Sequence, residues 1–175
     1  MASVRVLSLL LLVLVSAAAV AEARIDPAEF IKAIKAIRRS PRFKAASVPA
    51  AEALFRRLMK LDSSTGNVTL LVPAELAALN AAALPAFTLP QANKIRLYHL
   101  LSGLYTVADL QALPLNAKIA TVEGKTMKKL TPAVIPVVML KGRDLLPSVL
   151  VSGDVYVGDT LAVHVVSSIL LPPDL

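Results

Sequence analysis

Histidine and cysteine supply many of the bases, nucleophiles and soft metal ligands of proteins, and here they amount to His99 and His164 alone, with no cysteine in 175 residues. Thiol catalysis and disulfide scaffolds are therefore excluded. Two histidines with scattered carboxylates can bind a metal in principle. The other reading is structural: each ring packs in the core with its nitrogens in internal hydrogen bonds. Ser167 and Ser168 lie close to His164, but no orienting acid accompanies them and no G-x-S-x-G elbow is present. Spacing singles out no pair of carboxylates for hydrolytic chemistry. The residues point to a protein that is not an enzyme and needs no metal or cofactor.

Two other kinds of site stand out. Asn67-Val68-Thr69 is the single N-x-[ST] sequon and falls where a turn meets a strand. It is a glycan acceptor if Asn67 is exposed, and a silent sequence if Val68 and Thr69 enter the sheet first. The groups Arg38-Arg39-Ser40-Pro41-Arg42 and Lys125-Thr126-Met127-Lys128-Lys129 are basic, in a chain of net charge +7 and pI ≈ 9.9. Arg38, Arg39, Arg42, Lys125, Lys128 and Lys129 can hold acidic wall or matrix polysaccharide such as pectin, because summed positive charge concentrates polyanions. Such short runs also serve simply as solvated surface.

The elements that position these residues begin after a targeting segment. Apolar residues make up 56% of the chain and mean hydropathy is +0.67, much of it in the first 23 positions. Arg5 precedes an apolar run over residues 6–15 that is broken only by Ser8. Ala19-Val20-Ala21 and Ala21-Glu22-Ala23 then offer cleavage after Ala21 or Ala23. The unbroken apolar stretch is shorter than the ~20 residues of a membrane span, so a removable signal peptide over 1–23 is predicted, with one domain over 24–175. Cleavage removes one base and one acid and leaves the net charge at +7. A secreted basic domain meets acidic polysaccharide or matrix protein rather than nucleic acid. Leu171-Pro172-Pro173-Asp174-Leu175 shows no lipid-anchor signal, so the mature protein is expected to lack both anchor and membrane span. Without disulfides its stability rests on a hydrophobic core, and a domain of this size buries about two-thirds of its unfolded surface.

Helices fill the first half. Asp26-Pro27-Ala28-Glu29 starts one, Phe30, Ile34 and Ile37 continue it, and Ser40-Pro41 stops it. A second runs from Pro49 past Leu61, a brief one over 74–79, a longer one over 90–101, and a short one from the capping box Thr106-Val107-Ala108-Asp109. Val68 to Val72 is a β-branched strand that Pro73 ends. From residue 118 the period becomes that of strands, over 118–122, 134–140, 149–151, 155–157 and 161–170, with Pro136 marking an edge or bulge. Helices first and strands later give an α+β domain, its N-terminal helices packed on an antiparallel sheet.

Three segments in this order resemble the fasciclin-type domain. Thr69-Leu70-Leu71-Val72-Pro73-Ala74-Glu75-Leu76-Ala77-Ala78-Leu79 is similar to the family's first conserved block. Tyr98-His99-Leu100-Leu101 matches the Tyr-His pair between the blocks. Leu161-Ala162-Val163-His164-Val165-Val166-Ser167-Ser168-Ile169-Leu170-Leu171-Pro172 is similar to the second block. The resemblance covers roughly residues 25–173 and is to a plant-type, single-domain secreted member. It implies that Thr69, Pro73, Tyr98, His99, His164 and Pro172 are structural, with Tyr98 and His99 supporting the packing between blocks.

Departures qualify what carries over. Ala74-Glu75 replaces the expected helix-capping pair, at a cost of ~1 kcal/mol. The Ala/Pro/Ser/Thr-rich stretches of plant relatives are missing, and Gly142-Arg143-Asp144 is not the integrin-directed tripeptide. The resemblance implies an extracellular adhesion or matrix-interaction module of the wall or matrix (the apoplast for a plant protein). A small-ligand carrier with an apolar pocket is the alternative.

Overall fold

The computed structural model describes residues 26–40, 67–74, 87–132, 134, 136–143 and 147–175. The predicted signal segment, the expected helix beyond Pro49, the brief helix after Ala74 and Arg42 lie outside them.

Helix α1 (Pro27–Arg39) starts as its sequence dictates: the Asp26 carboxylate accepts from Ala28 N at 2.8 Å and proline takes the first turn. It stops because Ser40 precedes Pro41, which drives Ser40 into extended backbone with ψ 122°. Glu29, Ala33 and Ile37, one turn apart, form its buried face.

Strand β1 (Val68–Pro73) is buried at every position. Helix α2 (Leu89–Tyr98) opens with a Thr88–Gln91 capping box and ends three residues earlier than the hydrophobic spacing predicts. Leu100 and Leu101 pass instead into β2 (Leu100–Ser102), where they pair with Leu70 and Thr69 of β1. Helix α3 (Val107–Ala112) has its capping box as predicted: Asp109 N donates to Thr106 Oγ1 at 3.2 Å, and Thr106 N to Asp109 Oδ2 at 2.8 Å.

Among the described residues five strands follow: β3 (Lys118–Ala120), β4 (Thr126–Lys129), β5 (Met139–Lys141), β6 (Ser148–Val157) and β7 (Leu161–Val166). Among the described residues of the apolar stretch 134–140, Met139 and Leu140 at its end are in a strand. The expected turn at Ser152-Gly153-Asp154 is absorbed into one long β6, whose register against β7 shifts twice. Asp154 takes up the distortion with φ 48°.

The strand order is β2-β1-β7-β6-β5-β4-β3. The domain is α+β, as the sequence predicts, but its sheet is mixed rather than wholly antiparallel. β1 runs parallel to β7, Val68 opposite Leu161 through Pro73 opposite Val166. The chain between them provides the long return that parallel pairing needs. The outer strands nearly close the sheet, since Leu101 bridges Thr121 and Val122 N donates to Leu100 O at 2.8 Å.

Both faces of β1 and β7 are covered, so their apolar runs are continuous. On one face Leu70, Val72, Val163 and Val165 pack with Ala33 and Ile37 of α1. On the other, Leu71 and Val166 join Tyr98, Leu110, Ile119, Met127, Leu140 and Leu170.

Candidate functional site

The centre of the sheet gathers the polar motif residues. Thr69 is fully buried; its hydroxyl donates to Gly103 O at 2.8 Å and accepts from Tyr105 N at 2.7 Å. His164, opposite Leu71 in the parallel pair, has its Nε2 2.8 Å from Tyr105 O and its Nδ1 2.9 Å from Asp154 N. A backbone N–H can only donate, so Nδ1 accepts and Nε2 carries the proton. The Asp154 carboxylate, 3.8 Å from Nδ1, therefore makes no ion pair with a neutral ring. It accepts instead from Val107 N at 3.0 Å, fastening α3 to β6. Burial pushes the His164 pKa down against the opposing effects of the Tyr105 carbonyl and the Asp154 charge.

His99 is arranged the other way round. Nδ1 donates to Ile95 O at 2.8 Å, closing α2, and Nε2 accepts from Leu170 N at 3.1 Å. Desolvation lowers its pKa to about 4, and the bond to Ile95 opposes only part of that shift. Tyr98, also fully buried, donates to Thr126 O at 3.1 Å. Pro73 is buried at the end of β1, where Ala74 N donates to Val166 O at 2.7 Å. Pro172 is buried beyond the Leu170 and Leu171 contacts. Thr69, Pro73, Tyr98, His99, His164 and Pro172 thus meet in one fold, with both nitrogens of each histidine already used. Among the described residues no three of His, Asp and Glu come together in a metal-binding group.

The basic residues are dispersed. Arg38 and Arg39 are exposed in the last turn of α1, where positive charge complements the helix dipole. Lys125 lies 3.6 Å from Asp174, which also takes Lys94 at 3.0 Å. Lys128 is exposed. Lys129 corrects the sequence reading, because it is wholly buried and faces inward. Its Nζ donates to Gln111 O at 2.7 Å and to Leu113 O, binding carbonyls at the end of α3, and no polyanion can reach it. The period of two already contained this: Met127 points to the core, so Lys129 does too.

Asn67 is exposed at the start of β1, and its carbonyl accepts from Gly103 N at 2.9 Å. Two features escape reading along the chain. Lys118, Lys128 and Lys141 stand in cross-strand register, visible only once the strands are paired. Glu29, expected at a helix start, is a buried carboxylate that accepts from Asp159 N, from Thr160 N at 3.1 Å and from Thr160 Oγ1 at 2.7 Å. Burial raises its pKa, but the bonds from Thr160, Asp159 and Leu161 together outweigh that and leave it lowered. No helix among the described residues is long and apolar enough to cross a membrane.

Chemically, the polar groups of the centre hold the sheet and its neighbouring segments together. Comparison with solved structures finds similarity to a FAS1 domain pair from the insect cell adhesion molecule Fasciclin I, at 15% identity and TM-score 0.47, over 71% of this chain and 42% of that one. This chain spans about two-fifths of the length of that structure. Comparison with curated proteins gives no match. The family model described as Fasciclin domain matches residues 48–172, most of the chain. On that match the chain belongs to the fasciclin domain family.

Proposed function

We propose that this chain is an extracellular adhesion module that holds acidic polysaccharide of the cell wall or matrix by surface charge and performs no catalysis. Fasciclin domains are commonly adhesion modules outside the cell. The observation that carries the reading is the commitment of His99, His164 and Thr69 to internal backbone partners, which leaves contact rather than chemistry to a surface of net charge +7. In this reading residues 1–23 are removed on secretion, residues 24–175 act as one domain, and Asn67 carries a glycan.

Retention on immobilised polygalacturonate tests it. The mature protein is expected to bind at low salt and to elute as ionic strength shortens the screening length to a few ångströms. A neutral dextran column is expected to let it pass. Equal behaviour on both columns would overturn the polyanion reading.

A further inference from the structure

We infer that Lys118, Lys128 and Lys141 form a linear anion-binding row across β3, β4 and β5, which seats an extended acidic polysaccharide lying across the strands. The inference rests on the polyanion reading above and gives it a location. Lys118 pairs with Lys128, and Lys128 with Lys141, in the antiparallel register. Neighbours alternate with Ile119, Met127 and Leu140, which are buried, so all three lysines belong to the opposite, outward face. Lys118 and Lys128 are exposed and Lys141 is half-buried.

Like charges directly opposite on neighbouring strands destabilise a sheet. None of the three has a carboxylate partner among the described residues, whereas Lys94 and Lys125 share Asp174. Among the described residues the row therefore carries an electrostatic cost that no carboxylate relieves, and a bound polyanion relieves it. Strands lie about 4.8 Å apart, so the row sets three positive charges across roughly 10 Å, a span that a few units of an extended acidic polysaccharide cover. The inward face of these strands is taken by α3, through Leu110 and the Lys129 bonds. The loop bearing the exposed Val134 and Val137 is tied to α3 as well, by Gln111 Nε2 donating to Pro136 O at 2.9 Å. A row of charge on the face opposite Ile119, Met127 and Leu140 suits a hydrated polysaccharide better than a lipid surface.

Single variants Lys118→Ala, Lys128→Ala and Lys141→Ala are measured for binding to polygalacturonate, beside the double variant Arg38→Ala/Arg39→Ala. Each row variant is expected to bind on the order of fivefold more weakly, with a flatter salt dependence. Each is also expected to melt at or above the wild-type temperature, because repulsion has been removed. Lys128→Arg should bind as the wild type does. Salt-sensitive binding that survives loss of the row but falls with Arg38 and Arg39 would overturn the row and leave the adhesion reading standing. Tighter capture by phosphatidylserine-containing vesicles than by polygalacturonate would overturn the choice of ligand.

Discussion

His99 and His164 hold their protons on different nitrogens because each ring faces one backbone carbonyl and one backbone N–H, in opposite orientations. Protonation would set a new N–H against an existing donor, Leu170 N for His99 and Asp154 N for His164. Burial acts in the same direction, and the folded pKa of His99 lies at about 4 against 6.5 for an ordinary histidine. Between those values the unfolded chain binds a proton that the folded chain refuses, so stability rises with pH across the window. His99 contributes in full above about pH 6.5, and its contribution disappears as pH falls toward 4. The complete loss is ~3 kcal/mol, and His164 adds to it with the same sign. Urea unfolding between pH 7.5 and 4.5 should show the decline, and the His99 ring resonance should titrate far below that of a free histidine. A midpoint near 6.5 would mean that the ring is open to water.

Among the elements, α3 shows how a charged residue serves the interior. Its N-terminus is closed by Thr106 and Asp109, and carbonyls at its C-terminal end are held by Lys129 from β4. Lys129→Met keeps the apolar stem and deletes only the donor, so a loss of about 1–3 kcal/mol in urea unfolding is expected, with faster hydrogen exchange in α3. Lys129→Ala should cost more, since a cavity is added. A methionine variant as stable as the wild type would show that water satisfies those carbonyls equally well. Short-range signals of this kind were legible in the sequence, as Asp26-Pro27 and the Thr106–Asp109 box show. The end of α2 was not legible, because Leu100 and Leu101 fit a helical stripe as well as a buried strand and only β1 decides between them. Nor was β6, where Ser152-Gly153-Asp154 has turn composition but β7 keeps the chain extended through two register shifts. Strand direction leaves no local trace, so the parallel β1–β7 pair had to be seen. The motif residues could be named from the chain, while the Lys118–Lys128–Lys141 row needed the register.

At the scale of the whole molecule, β1 and β7 lie between two clusters of buried residues, and α1, which precedes the family-matched residues 48–172, packs into one of them. Ala33 and Ile37 supply the apolar contact, and Glu29 fixes the helix to the turn between β6 and β7. That turn is itself bound to β1, since Thr160 O accepts from Val68 N at 3.0 Å. One carboxylate therefore links the N-terminal helix to the central parallel pair. Gly158 leaves room for it, because a Cβ there would run into the Glu29 carboxylate. Glu29→Gln keeps the shape but removes the charge that strengthens three donated hydrogen bonds, and should cost about 1–2 kcal/mol. Gly158→Ala leaves Glu29 in the sequence and displaces it from its donors, so it should act in the same way. Hydrogen exchange by mass spectrometry separates this local effect from general weakening. In both variants the amides of α1 and of the β6–β7 turn are expected to exchange faster, while those of β3, β4 and β5 keep wild-type protection. Equal acceleration across the whole sheet, or an α1 no more labile than before, would show that apolar packing alone seats the helix.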